Sequence, residues 1–129
     1  MPSSRAVTRG VVVEVESAFS EAHSEPAQGN WFFLYTIRIT NEGDEPVQLI
    51  SRHWIITDGS GGEEEVRGPG VVGKQPVLSP GESFEYTSGC PLTTTVGSMR
   101  GTYQMITSEG ESFEAQVAPF TLSLPYALN

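Results

Sequence analysis

Residues 31–41 read WFFLYTIRITN, and this stretch constrains the fold more than any other. Phe33, Tyr35, Ile37 and Ile39 fall on one side of an extended chain, with Thr36, Arg38 and Thr40 on the other. A two-residue period is the signature of a β-strand with one buried face. On a helix the same four apolar residues would split between opposite sides. Such a strand hides its apolar face only against a second layer, so the segment commits the chain to packed β-sheets. The run Trp31-Phe32-Phe33 must also send at least one ring away from that face.

Other segments repeat the pattern. Val13 and Val15 alternate with Glu14 and Glu16, and strand-like runs begin after Pro46, at Glu63, at Ser83, at Arg100 and at Glu111. Tyr103 and Met105 share a face in the run RGTYQMIT. Turn chemistry separates the runs: Asn-Glu-Gly-Asp at 41–44, Asp-Gly-Ser-Gly-Gly at 58–62, Ser79-Pro80-Gly81 and Ser108-Glu109-Gly110. No long window carries a 3.6-residue period. About seven or eight strands, with turns every ~8–12 residues, predict an all-β chain folded as an antiparallel β-sandwich. A length of 129 residues suits one domain that buries about two-thirds of its unfolded surface. Residues 1–8 read as a flexible N-terminal arm and 9–129 as the domain. The polar stretch 17–30, with Pro26 and Gly29, reads as a mobile connecting loop.

A net charge of −9, from 16 acidic and 7 basic residues, argues against nucleic acid or an acidic membrane as partner. The single cysteine, Cys90, makes an internal disulfide impossible. No apolar run reaches the ~18 residues of a membrane span, and residues 1–10 lack a signal-peptide core. These features predict a soluble cytoplasmic protein.

The segment 67–74, RGPGVVGK, spells G-x-G-x-x-G at Gly68, Gly70 and Gly73. A dinucleotide fingerprint needs a buried strand before the glycines and a helix after them, so that amides and helix dipole meet the pyrophosphate. Here the polar run Glu63-Glu64-Glu65 precedes, and Pro76 and Pro80 forbid the helix. Three readings stay open, one of them a loop that docks a protein. Arg67, Gly68, Gly70, Gly73 and Lys74 form an anion or nucleotide site in which loop amides and two cations hold a phosphate. Alternatively the glycines serve a turn, and the cations offset the neighbouring glutamates.

Other chemistry is sparse. His23, His53, Cys90 and the acids at 58 and 63–65 lack metal-site spacing, so no metal or cofactor is expected. Cys90, ahead of Pro91, reads as a small half-buried hydrophobe and His53 as a hydrogen-bonded sheet histidine, which leaves no catalytic pair.

The segments RHWIITDG at 52–59, EVRGPGVVGKQPVLSPGESFEYTSGCPL at 65–92 and GSMRGTYQM at 97–105 resemble the ApaG family in order and spacing. The resemblance runs from Val11 to Pro125. It implies a sandwich of the fibronectin type III or immunoglobulin-like kind. It also implies a free-standing bacterial cytoplasmic protein without enzymatic activity, associated with cobalt tolerance and magnesium efflux and often encoded beside a diadenosine tetraphosphatase. Related domains sit inside a eukaryotic F-box ubiquitin-ligase subunit and a DNA polymerase delta-interacting protein. That setting implies an interaction module with a protein partner. Exposed sheet edges allow a homodimer as well as a monomer. The alternative it implies is a protein that binds pyrophosphate or a dinucleoside polyphosphate through the Gly68, Gly70 and Gly73 string.

Overall fold

The computed structural model describes residues 3–125. Nine strands run through them: β1 (Ser3–Thr8), β2 (Val11–Glu25), β3 (Asn30–Asn41), β4 (Val47–Asp58), β5 (Glu63–Pro69), β6 (Val77–Leu78), β7 (Ser83–Leu92), β8 (Val96–Thr107) and β9 (Ser112–Ser123). One 3-10 turn, Pro26–Gln28, interrupts them. Two antiparallel sheets result, in the orders β1-β2-β3-β7 and β5-β4-β8-β9, with β6 adding to β4. The predicted β-sandwich is the observed architecture.

The core follows the alternation of the strands. Phe33, Ile37 and Ile39 of β3 are fully buried, as are Val13, Leu49, Tyr103, Ala115 and Leu122 from the neighbouring layers. Trp54 stands at the centre, its indole presented edge-on to Tyr35, Tyr103 and Phe120 with centroids 5.7, 6.0 and 6.0 Å away. Edge-to-face packing of this kind adds to the area that the rings bury. Of the aromatic run, Phe33 enters the core and Trp31 packs partly against it. Phe32 points the other way, into space where a Cβ on Gly89 would stand.

Two expectations about the N-terminal region fail. Residues 3–8 are not an arm: every one of them pairs with β2, from Ser3↔Glu16 to Thr8↔Val11. The hairpin turns through Arg9 (φ +49°) and Gly10 (φ +81°), the two positive-φ residues of a tight primed turn. Arg-Gly is a weaker turn signal than Asn-Gly, and the strand behind it was hidden for that reason. The stretch 17–30 is also mostly strand, since β2 continues to Glu25 and pairs with β3 as far as Ser20↔Phe32 before a bulge. Its polar side chains are used structurally. Ser17, 2% exposed, donates from Oγ to the Thr121 carbonyl at 2.6 Å.

The two long sides of the sandwich differ. On one, Ser4 Oγ donates to the Ala118 carbonyl (2.8 Å) and the Gln116 amide to Thr8 Oγ1 (3.0 Å), so β1 and β9 close the gap. On the other side no ladder joins β5 to β7. The segment after β5 folds across that opening, held by the Gly70 amide on the Ile50 carbonyl and the Leu49 amide on the Pro76 carbonyl. The glycine loop is therefore the flap on the open side.

Candidate functional site

Each glycine of the string has a steric task. Val71 and Lys74 exchange backbone hydrogen bonds of 2.8 and 2.9 Å around a two-residue turn. Val72 (φ +43°) and Gly73 (φ +79°) occupy the turn, both in the left-handed region. Gly70 also has positive φ (+59°), and a Cβ there would collide with the Lys74 carbonyl oxygen. Gly68 lies flat against the Arg52 guanidinium, whose nitrogens come within 3.0 Å of the place a Cβ would take. Of the loop amides, those of Gly70, Val71 and Lys74 are bonded to backbone carbonyls. Those of Val72 and Gly73 have no protein acceptor among the described residues.

The five residues singled out in the sequence do not line one hollow. Arg67 and Gly68 border an open concavity of about 600 Å³ on the outer side of the sheet, together with Ser51, His53 and Gln104. Gly73 borders a second hollow of about 380 Å³ between the sheets, with Tyr35, Trp54 and Tyr86. Gly70 and Lys74 line neither. The cation between the two hollows is Arg52, which borders both. Its Nη1 donates to the carbonyls of Pro69 (3.0 Å) and Gly70 (2.9 Å), tying the flap to β4. Sequence reading missed Arg52, because an arginine in a strand looks like an outward side chain. Its parity with Trp54 was the available signal.

The outer face of the β5-β4-β8-β9 sheet carries a hydrogen-bonded polar array. His53 Nε2 meets Glu65 Oε1 at 2.7 Å, and Arg67 Nη2 approaches the same oxygen at 3.4 Å. The His53 hydrogen bond, with Arg67 adding to it, holds the Glu65 carboxyl below its ordinary range. Ser51 Oγ donates to Gln104 Oε1 (2.8 Å), while Gln104 Nε2 donates to Thr102 Oγ1 (2.8 Å). Arg100 reaches Glu63 at 3.4 Å. A further hollow of about 310 Å³, lined by Ile55, Arg100, Thr102 and Gln116, shares His53 with the larger one. The face is thus concave from β5 to β9, polar around His53 and Gln104 and more apolar beside Ile55, Val117 and Pro119.

His53 is a hydrogen-bonded sheet histidine, as read from its surroundings. Cys90 lies in β7, 3% exposed, and burial pushes its thiol up to about 11. A thiol protonated at neutral pH is a poor nucleophile. Its Sγ donates to the Pro91 carbonyl at 3.7 Å, and among the described residues it makes no hydrogen bond to His53. Among the described residues no three His, Cys, Asp or Glu side chains gather closely enough to hold a metal ion. No helix among them is long and apolar enough to cross a membrane.

Comparison with known proteins supplies the lineage. A family model described as the ApaG domain matches residues 21–107. Protein ApaG of Methylobacterium sp. (strain 4-46) is 58% identical over 122 residues, covering 95% of this chain and 94% of the relative. The chain belongs to the ApaG family. Protein ApaG of Anaeromyxobacter dehalogenans is 55% identical over 126 residues, which is 98% of this chain and 99% of the relative. A crystal structure from Bordetella pertussis, 54% identical, superposes with a TM-score of 0.87 over 89% of this chain and 94% of its own. A second X-ray structure, 41% identical, gives 0.89 over 96% and 94%. The ApaG sandwich is therefore shared over nearly the whole chain.

Proposed function

We propose that this ApaG-domain chain is a non-enzymatic binding module that docks a protein partner on the outer face of the β5-β4-β8-β9 sheet. One observation carries the reading: His53, Glu65, Arg67, Ser51 and Gln104 form a concave polar surface whose side chains are already held by one another. Preorganised polar side chains on a rigid sheet lose little entropy on association, which favours specific and wet recognition. The cobalt and magnesium traits that the family resemblance implies would then be exercised through the partner, in the cytoplasm. The phosphate alternative has less support, because three loop amides are committed to carbonyls and Arg67 leans on Glu65.

Site-specific photo-crosslinking in the source cell tests the proposal. A photoreactive residue replacing Gln104, on the docking face, is expected to yield a discrete protein adduct. The same residue at Thr36, on the outside of the other sheet, is expected to yield none. Adding Arg67→Ala should weaken the adduct. Equal adducts from both positions, or none from Gln104, would overturn the reading.

A further inference from the structure

Seven basic residues serve this acidic chain. Arg9, Arg38, Arg67 and Arg100 each lie within 4 Å of a glutamate. Arg5, Arg52 and Lys74 have no such partner among the described residues, and of these only Arg52 is half-buried. A desolvated cation without a counter-charge is costly unless something compensates it. Arg52 is compensated in part by the carbonyls of Pro69 and Gly70, both on Nη1. The Nε–Nη2 edge makes no protein hydrogen bond among the described residues. That edge presents the two parallel N–H groups suited to a carboxylate.

The hollow that Arg52 borders between the sheets adds the rest of a ligand site. Its volume, about 380 Å³, falls within the range of small-molecule pockets. Tyr35, Trp54 and Tyr86, each less than a tenth exposed, form its aromatic floor, Val72 an exposed apolar lip, and Ser88 a hydroxyl. Tyr86 spends its hydroxyl on Tyr103 at 2.5 Å, so its ring is locked in place. One half-buried cation above an aromatic floor, with polar groups around it, suits a small organic anion with a planar body.

We propose that the opening between β4 and β7, beneath the flap at 70–74, binds a small planar carboxylate whose charged end pairs with Arg52. The site shares Arg52 with the rim of the concavity on the sheet face proposed for protein docking, but neither proposal requires the other. A ligand there would also touch the flap, so its occupancy would be felt at the Val72-Gly73 turn.

Val72 offers a test that leaves Arg52 intact. A β-branched residue is strained at φ +43°, whereas Asn and Asp tolerate that conformation. Val72→Asn and Val72→Asp should therefore both fold, and they differ in charge alone. Titration with benzoate, followed by the Arg52 Nε–H, Trp54 indole and Gly73 amide resonances, is expected to saturate with a Kd of about 1 mM or tighter. Benzamidinium, of the same shape and opposite charge, should leave these resonances unmoved. Val72→Asn, which alters the lip without adding charge, should still bind benzoate saturably, and Val72→Asp should bind it at least about tenfold more weakly than Val72→Asn, since its carboxylate competes for Arg52. The proposal falls if benzoate produces no saturable shift, if benzamidinium binds equally, or if the two variants bind alike.

Discussion

Gly70 and Gly73 show how residues that spell one motif do separate jobs. Both have positive φ, but only at Gly70 would a Cβ strike the Lys74 carbonyl; at Gly73 there is open space. A left-handed alanine costs about 1–2 kcal/mol through its own backbone. Gly73→Ala should therefore lower the urea-unfolding free energy by about 1 kcal/mol. Gly70→Ala should lower it by about 2–4 kcal/mol, because the hairpin must also open to relieve the overlap. Similar losses at the two positions would contradict this account. That the glycines mark a turn was legible in the sequence, since Pro76 and Pro80 already excluded a helix. The role of Arg52 was not, because it depends on which strand end folds across it.

Among the elements, the β4–β5 hairpin is tied by a single carboxylate. Asp58 Oδ1 accepts from the Ser60 amide (2.9 Å), the Ser60 hydroxyl (2.7 Å) and the Gly62 amide (2.9 Å). The Ser60 hydroxyl, followed by the amides, holds this carboxyl below its ordinary value of 3.8. A depressed folded-state value means that the contribution is present above the unfolded value and lost as pH falls toward the folded one. Amide exchange is expected to show the protection of Ser60 and Gly62 collapsing below about pH 4, before that of the core strands. In Asp58→Asn the same protection should be insensitive to pH over that window. Turn composition at 58–62 made this hairpin visible in advance. The β1–β2 hairpin was not visible, because Arg-Gly turns it and because polar residues continue β2 through Ser20.

At the scale of the whole molecule, the two sheets enclose a phenolic and thiol interior that resists ionisation. Burial raises the hydroxyls of Tyr35, Tyr86 and Tyr103 above the ordinary tyrosine value of 10 and the Cys90 thiol to about 11. The unfolded chain releases these protons at the ordinary values and the folded one only higher. Stability is thus unaffected by these groups below about pH 9 and declines as pH rises beyond it. The melting temperature should stay level through neutral pH and then fall steeply in alkali. Tyrosinate absorbance from the three buried rings should appear together with unfolding. Gradual ionisation near the ordinary value, with the fold intact, would show that the interior is wetter than described.

Side-chain alternation and turn residues are properties of a few consecutive amino acids. They were enough to predict an all-β sandwich and the buried face of β3, while the ApaG family was read from the resemblance of three longer segments. Which edges meet is a non-local matter, settled by pairings between residues far apart in the chain. Only the packed structure showed β1 sealed against β9 and the opposite side covered by the flap alone. For the same reason the basic pair Arg67 and Lys74, close in sequence, proved to face different surroundings. Arg52, fifteen positions before Arg67, came to lie opposite Gly68 because β4 and β5 pair in antiparallel register.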